Sequence, residues 1–222
     1  MPQRTLFIGD VHGCYDELMA LVAKIWLRDT DHLYFVGDLI NKWPKSLEVV
    51  EWVRNRLNTW SVIGNHEYFS LQKEFVPYDE NNHLNWIKNR YEQTENLRNT
   101  LTQKWHREWL LSLPVMIERD DFILIHGGLH PKYGKETPVE IATMIRVVDG
   151  QPWYESYTGT KPIIYGHWAA EWLRVRNNTI GLDTGCCFGG ALTAYCLESW
   201  EFWQVRANAV YAEPANRRGK EE

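Results

Sequence analysis

Five short apolar runs in this chain each end beside residues that can bind a metal ion, and no other feature constrains the fold as strongly. The runs, TLFI, LYFV, WSVI, FILI and PIIY, are typical of β-strands. The residues that follow them are Asp10-Val11-His12, Gly37-Asp38, Gly64-Asn65-His66-Glu67, His126-Gly127-Gly128 and Gly166-His167. Strands that end in this way place oxygen and nitrogen ligands along one edge of a sheet, where α/β proteins bind metal ions and phosphate.

Strand and helix patterns alternate in the first third of the chain. Amphipathic stretches at residues 15–26 and 46–57 separate the first three apolar runs, and Ser46 is a candidate N-cap for the second stretch. This β-α-β-α-β order predicts right-handed crossovers and a largely parallel sheet. A helix is expected at residues 139–145, and further strands at residues 115–118, 122–126, 163–165, 179–182, 192–197 and 202–206.

A chain of 222 residues is usually one domain, which we expect to cover residues 1–213. Residues 69–111 interrupt the alternation with many polar residues and with apolar residues at helical intervals, so they predict a helical insertion over or beside the site. Residues 214–222 are expected to form a polar tail.

Charge and composition indicate which binding partners and which cellular compartment to expect. The net charge of -5 argues against a broad basic surface for nucleic acid. No apolar run approaches the roughly 20 residues that span a bilayer, and a strand pattern begins at Thr5, so we expect neither a membrane segment nor a signal peptide. The four cysteines show no Cys-x-x-Cys spacing, and the adjacent Cys186 and Cys187 are expected to be packed thiols. A reducing, cytoplasmic setting fits these features.

The polar clusters contain the ligand types of a two-metal hydrolytic site, in which the ions lie about 3.5–4 Å apart. Asp10 and His12 alternate along the chain and can face one pocket. Asp38 is the natural bridging ligand, because a carboxylate has two oxygens to share. Asn65 offers a neutral amide oxygen, and the second ion would be completed by His126 and His167.

His66 directly follows a predicted ligand but should point elsewhere, so it is the candidate general acid. A single histidine in such a sequence is more often structural than functional. Five motifs in order, each after a strand pattern, are hard to explain by core packing. The remaining histidines lack this context and are expected to be solvated or locally hydrogen-bonded: His32, His83, His106 and His130.

Taken together, these motifs resemble the signature of the calcineurin-like phosphoesterases, and more narrowly of their phosphoprotein phosphatase branch. The resemblance extends from Leu6 to about Arg206. It implies a four-layer α/β/β/α sandwich of two mixed sheets and a hydrolase with two divalent ions, drawn from Mn, Co, Ni, Fe, Zn or Mg, with Mn favoured in vitro. Residues 9–18 (GDVHGCYDEL), 166–169 (GHWA) and 182–190 (LDTGCCFGG) are similar to bacterial symmetrical diadenosine tetraphosphate hydrolases.

The chain departs from the Gly-Asp-x-x-Asp-Arg-Gly pattern of serine/threonine protein phosphatases. It has Asn41, Lys42 and Trp43 where that pattern has Asp, Arg and Gly. We expect Asn41 to orient His66 by accepting a hydrogen bond without adding charge, and Lys42 to contact phosphate without bidentate geometry. Arg146 resembles an arginine segment of the nucleotide hydrolases and is a second predicted substrate contact; a surface arginine on a helix is an equal alternative.

The sequence therefore predicts a two-metal phosphohydrolase acting on a phosphoanhydride such as diadenosine tetraphosphate, with two ADP as products. One alternative keeps the chemistry but takes phosphoserine, phosphothreonine or phosphotyrosine in proteins as the substrate. Another is a catalytically weak metal- or nucleotide-binding module. Base stacking by Trp43, Trp153 or Trp168 is considered, although core packing is the usual role of tryptophan.

Overall fold

Two five-stranded sheets form the centre of this computed structural model, which describes residues 2–42, 45–71 and 104–213. The strands are β1 (Thr5–Ile8), β2 (His32–Phe35), β3 (Thr59–Ser61), β4 (Met116–Glu118), β5 (Ile123–Ile125), β6 (Val147–Val148), β7 (Gln151–Pro152), β8 (Ile163–Tyr165), β9 (Arg174–Val175), β10 (Thr179–Gly181), β11 (Ala191–Cys196) and β12 (Phe202–Arg206). The helices are α1 (Tyr15–Lys24), α2 (Ser46–Asn55), α3 (Asn65–Leu71), α4 (Lys104–Leu111) and α5 (Val139–Ala142), with 3₁₀ turns at Trp153–Ser156 and Cys186–Phe188.

The first sheet has the strand order β12-β11-β1-β2-β3. β1, β2 and β3 run parallel, whereas β11 and β12 are antiparallel to their neighbours. The parallel half confirms the prediction made from the alternating strand and helix patterns. Because β1 and β2 are adjacent and parallel, the residues that follow them lie at the same edge of the sheet.

The second sheet has the order β4-β5-β8-β10-β9, with β5, β8 and β10 parallel. β4 and β5 form an antiparallel hairpin, in which the backbone N–H of Arg119 donates to the carbonyl of Phe122 at 2.9 Å. The small β6–β7 hairpin and the edge strand β9 were not predicted, because strands of two residues give no periodic pattern.

Alternation along the strands builds the layers between and around the sheets. Phe7 points from β1 toward the second sheet and meets Phe122 edge-on, with ring centroids 4.8 Å apart. Leu6 and Ile8 point the other way, into a core shared with α1 and α2. The outer face of the second sheet packs on α5 and on the 3₁₀ turn at Trp153–Ser156. This arrangement confirms the α/β/β/α sandwich.

Ser46 does not cap α2, contrary to the prediction. It is the first residue of the helix, and Lys45 occupies the cap position without a capping hydrogen bond. The Ser46 hydroxyl instead accepts the backbone N–H of Asn41 at 3.1 Å. The same side chain therefore fixes the loop that leads from the first sheet toward the candidate site.

Part of the predicted insertion, residues 72–103, lies outside the described residues, as do His83 and Trp43. The prediction of one domain with an insertion and a tail therefore remains a prediction. In the described parts of the chain, no helix combines the length and apolar character that a membrane crossing requires. His106 is buried and bonds Glu51 at 2.6 Å, a local role of the kind expected for it.

Candidate metal centre

The polar residues at the strand ends converge in one buried cluster between the two sheets. Asp10, Asp38, His126 and His167 follow β1, β2, β5 and β8, and Asn65 begins α3. Each of these residues is at most 8% exposed. His12, Asp38 and His167 have positive φ angles of 49°, 52° and 65°, which non-glycine residues seldom adopt. Such strain is typical of sites where the fold aims side chains at a common point.

Asp38 is the centre of this arrangement. Its Oδ2 atom lies 3.5 Å from Nε2 of His12 and 3.4 Å from Nε2 of His126. Among the described residues, two groups with metal-ligating geometry include Asp38: one adds His12 and His66, and the other adds Asp10 and His126. A carboxylate shared by two such groups could serve both, and its role as a bridging ligand stays a prediction.

Asn65 brings two imidazoles together. Its Oδ1 atom lies 3.0 Å from Nε2 of His126 and 2.9 Å from Nδ1 of His167. Ligands bound at about 2.1 Å to one ion lie roughly 3.0–3.4 Å apart. The spacing of these oxygen and nitrogen atoms therefore fits a divalent ion without rearrangement of the backbone.

Backbone carbonyls fix the orientation of two of the histidines. Nδ1 of His12 lies 3.1 Å from the carbonyl of Ile40, and Nδ1 of His126 lies 2.7 Å from that of Val36. A carbonyl can only accept, so each Nδ1 carries a proton and each Nε2 faces Asp38. Metal-binding histidines are commonly oriented by a hydrogen bond of this kind at the second nitrogen.

Burial and mutual charge set the titration of the cluster. Burial alone would raise the pKa of Asp38, but the imidazoles of His126 and His66 outweigh it and hold that pKa well below its usual range. Burial would lower the pKa of His126, but the Asp38 carboxylate raises it to about 10. Burial lowers the pKa of His12 to about 4. Burial and the nearby Asp183 raise the pKa of Asp10. An ion that bound His126 would therefore replace a proton.

Asn41 contacts the predicted general acid, but in the opposite sense to the one expected. Its amide nitrogen lies 3.1 Å from Nδ1 of His66, so Asn41 donates the hydrogen bond rather than accepting it. The proton of a neutral His66 then resides on Nε2, which is 4.0 Å from Asp38 Oδ2. The backbone N–H of His66 also donates to Asp38 Oδ1 at 2.9 Å. His66 is thereby held at the edge of the ligand cluster.

Two buried carboxylates at the site were given no role by sequence reasoning. Glu67 accepts backbone N–H groups from the loop that carries Asp38, and burial raises its pKa to about 7. Asp183 accepts the N–H of Gly185 at 3.0 Å and acts electrostatically on Asp10. The signal was present in both cases: Glu67 closes the Gly-Asn-His-Glu motif, and Asp183 lies in residues 182–190.

The predicted substrate contacts lie beside the cluster. Lys42 places Nζ 4.7 Å from the ring centroid of Phe188 and lowers the pKa of His12 after the larger effects of burial and Asp38. Arg146 follows α5 rather than lying on it, and its Nη2 donates to the carbonyl of His167 at 3.1 Å. Arg146 is thus exposed but does not lie on a helix, and its guanidinium is bonded to a residue of the cluster. Its contact with substrate stays a prediction.

Two of the tryptophans considered for base stacking have other contacts, and Trp43 lies outside the described residues. Trp153 is 1% exposed and packs on Tyr165 in the core, which excludes stacking on a ligand. Trp168 lies next to His167 and contacts the guanidinium of Arg174. All four cysteines are buried free thiols, as expected for Cys186 and Cys187.

Comparison with known proteins agrees with this geometry. The calcineurin-like phosphoesterase family matches residues 3–202. A symmetrical bis(5'-nucleosyl)-tetraphosphatase of Methylobacillus flagellatus is 28% identical over 271 aligned residues, covering 90% of this chain and 94% of the relative. An asymmetrical bis(5'-nucleosyl)-tetraphosphatase of Halalkalibacterium halodurans is 32% identical over 231 residues, covering 89% and 92%. A crystal structure provisionally assigned as a diadenosine tetraphosphatase superposes with a TM-score of 0.76 at 27% identity, covering 93% and 95%.

Proposed function

Since this chain belongs to the calcineurin-like phosphoesterase family and is a metal-dependent phosphohydrolase, we propose that it hydrolyses a phosphoanhydride bond of dinucleoside tetraphosphates. One observation carries the catalytic part of the proposal: Oδ2 of Asp38 lies 3.4–3.5 Å from the imidazoles of both His126 and His12. The names of the relatives support the substrate class.

The residues that would hold the ions are Asp10, His12, Asp38, Asn65, His126 and His167. Their hard oxygen and imidazole nitrogen atoms suit divalent ions such as Mn, Mg, Fe, Co, Ni or Zn. Divalent ions at this position supply stabilisation of phosphoryl charge and activation of water. Manganese as the preferred ion and a cytoplasmic location remain predictions.

The other residues supply protons and charge. The acid form of His66 is the imidazolium, which carries a proton on each ring nitrogen. In that form Asn41 turns its amide oxygen toward Nδ1 and accepts, and His66 gives the Nε2 proton to the leaving phosphate oxygen. Lys42 and Arg146 bind the phosphate that is attacked and offset its growing negative charge. One water is consumed for each anhydride bond that breaks.

The position of the cut depends on which phosphate the site holds. Symmetrical hydrolysis gives two ADP from diadenosine tetraphosphate and is the reaction that we expect. Asymmetrical hydrolysis, which gives ATP and AMP, is a second candidate. Two observations favour it. The asymmetrical relative is 32% identical to this chain, and its alignment of 231 residues is close to the length of the chain. The alignment with the symmetrical relative is longer, at 271 residues.

The alternatives from the sequence differ in substrate or in turnover. A protein phosphatase would use the same cluster on a phosphorylated side chain. A weak metal- or nucleotide-binding module would keep the ligands without catalysis. The buried, oriented His66 beside the ligands argues for turnover.

Incubation of the manganese-loaded protein with diadenosine tetraphosphate, followed by chromatography of the products, tests the proposal. Two ADP are expected, and ATP plus AMP would assign the asymmetrical reaction instead. A phosphopeptide is the parallel substrate, and Asp38→Asn protein is the blank for contaminating hydrolases. Phosphate release from the peptide without any nucleotide product would reject the substrate class. No turnover on either substrate, with metal bound, would favour the binding module.

A further inference from the structure

Two arginine side chains bind the carbonyl groups of consecutive residues at the edge of the candidate metal centre. Nη2 of Arg146 donates to the carbonyl of His167 at 3.1 Å. Nη1 of Arg174 donates to the carbonyl of Trp168, the next residue along the chain. Two distant segments of the chain, the residues after α5 and the start of β9, thus place guanidinium groups on the same short stretch of backbone.

An aromatic contact fixes the position of Arg174. Its guanidinium carbon lies 4.5 Å from the ring centroid of Trp168, within the range of a cation–π interaction. Trp168 packs in turn on Tyr154, with ring centroids 6.1 Å apart. A long, flexible side chain is thus held before any ligand binds, which reduces the entropy that binding would cost.

Neither arginine of this pair forms an ion pair with a carboxylate in the parts of the chain that the structure describes. Arg176, two residues after Arg174, does so: its Nε lies 3.9 Å from Glu155. Burial is the main cause of the lowered pKa of Arg146. The charge of Asp183 acts in the opposite direction, and repulsion from Arg174 lowers the pKa further. Two guanidinium cations that lack a carboxylate partner repel each other. An anion bound to both would offset that repulsion.

Each guanidinium has five N–H donors in a planar fork that matches phosphate oxygens. The hydrogen bonds to the carbonyls of His167 and Trp168 use one nitrogen of each group. We propose that Arg174, placed beside the Arg146 that binds the attacked phosphate, forms a subsite for the phosphates beyond it, so that the centre prefers polyphosphate chains to single phosphate groups. This inference rests on the proposed function, because it names a substrate feature that the same site selects.

Inhibition of a simple reporter reaction tests the subsite without a nucleotide. The manganese-loaded protein hydrolyses p-nitrophenyl phosphate in the presence of inorganic tripolyphosphate or of inorganic phosphate, with free manganese held constant by a metal buffer. The measured quantity is the ratio of the two inhibition constants. Arg174→Gln is compared with Arg176→Gln, a matched control directly after the same strand, whose arginine pairs with Glu155.

Arg174→Gln is expected to weaken inhibition by tripolyphosphate about 10-fold, and inhibition by phosphate less than about 3-fold, because a hydrogen bond to a charged group is lost only for the longer anion. Arg176→Gln should leave both constants near those of the unchanged protein. An unchanged ratio in Arg174→Gln would overturn the subsite. If that variant loses the reporter activity, Arg174→Lys decides: a ratio restored to within about 3-fold supports the subsite, and a ratio that is not restored rejects it.

This design separates two failures. The reporter reaction needs the metal centre but no dinucleotide. If the protein does not hydrolyse diadenosine tetraphosphate, the proposed substrate is wrong, while the inhibition ratio still reports on whether Arg174 binds a phosphate chain.

Discussion

The carboxylate of Glu67 accepts the backbone N–H of Asp38 at 2.9 Å and so holds the central ligand of the candidate metal centre from behind. The same oxygen accepts the N–H of Gly64 at 2.9 Å, and the other oxygen accepts those of Leu39 and Ile40 at 2.8 and 3.2 Å. Glu67 is fully buried, and four N–H donors compensate its desolvation. One side chain thus joins the loop after β2 to the start of α3, the two segments that carry Asp38, Asn65 and His66.

Replacing Glu67 with Gln should weaken metal binding about 10- to 100-fold, the usual cost of removing a residue that positions metal ligands. Glutamine has nearly the same size as glutamate, but its amide carries an NH₂ group. That donor would face backbone N–H groups, which are donors themselves and cannot accept it. Isothermal titration with manganese measures the effect. Glu48→Gln, at an exposed position on α2, is the control and should bind as the unchanged protein does. Equal affinity in both variants would remove Glu67 from the set of positioning residues.

Asp38→Asn should lose both bound ions and lower turnover by about three orders of magnitude. The neutral amide cannot stabilise two cations at once, and the ions are expected to supply several kcal/mol of transition-state stabilisation. Elemental analysis of metal content and turnover of diadenosine tetraphosphate measure the two effects. Asp16→Asn, at an exposed residue paired with Lys45, controls for the loss of a carboxylate. Two ions per chain in Asp38→Asn would contradict its bridging role.

Treatment of the unchanged protein with a chelator should abolish turnover, and added manganese should restore it. The expectation follows from the buried oxygen and nitrogen atoms that converge on Asp38 and Asn65, a donor set that suits divalent ions. Activity that survives complete metal removal, verified by elemental analysis, would show that the imidazoles have another role.

The strand ends and the polar side chains that follow them were predictable because each depends on a short local pattern. An apolar run followed by Asp, Asn or His specifies both the strand and the position of the polar side chain, and parallel neighbours bring these positions together. Asn41 shows the limit of this reasoning. The sequence indicated its contact with His66, but which amide atom faces the ring depends on the three-dimensional hydrogen-bond network.

Other features depend on residues distant in the chain and left no local signal. Ser46 looked like an N-cap because serine often caps helices, but its hydroxyl is engaged by Asn41. The pairing of Arg146 with Arg174 depends on two consecutive carbonyls and on a strand of two residues. Neither feature has a periodicity or a spacing that could reveal it.

Asn41→Asp should move the alkaline limb of the pH–rate profile to higher pH. A negative charge 3.1 Å from His66 Nδ1 favours the protonated imidazole, which is the form that a general acid needs. The profile of kcat against pH measures the shift, and Asn55→Asp, at an exposed pair with Glu51 on α2, is the control. A profile that stays in place would argue against His66 as the proton donor.

Asp31 is expected to stabilise the fold in a pH-dependent way. It is fully buried and bonds Arg4 at 2.5 Å and Arg28 at 2.6 Å. Burial would raise the pKa of Asp31, but the hydrogen bonds from these two guanidiniums outweigh it and lower the pKa. The group is thus more acidic in the folded chain than its unfolded value of about 3.9. Its contribution is complete above that value and is lost as the pH falls toward the folded pKa.

Asp31→Asn should therefore lower the free energy of unfolding at pH 7 by about 2–3 kcal/mol. This is less than the cost of breaking a fully buried ion pair, because both arginines are partly exposed. The difference from the unchanged protein should shrink below about pH 4. Urea unfolding at pH 7, 5, 4 and 3 measures it. Asp29→Asn, at an exposed carboxylate 3.5 Å from Arg56, should change stability by less than about 1 kcal/mol. A difference independent of pH would mean that the carboxylate charge of Asp31 is not the source.

Gly166→Ala should weaken metal binding while leaving most of the fold intact. A Cβ atom at Gly166 would collide with Oδ1 of Asp10 and would lie 2.6 Å from Cγ2 of Val36. Asp10 would have to move, and it would lose the backbone N–H of His167 that it accepts at 3.1 Å. Overpacking of this kind costs about 1–3 kcal/mol, so the variant should still fold while binding less manganese.

Gly134→Ala is the control: its Cβ would meet no atom within 4 Å, but its φ of 53° strains any side chain. That strain should cost roughly 1–2 kcal/mol without loss of metal. Metal content and urea unfolding of both variants separate the two effects, and normal metal content in Gly166→Ala would show that Asp10 is not needed to hold the ions.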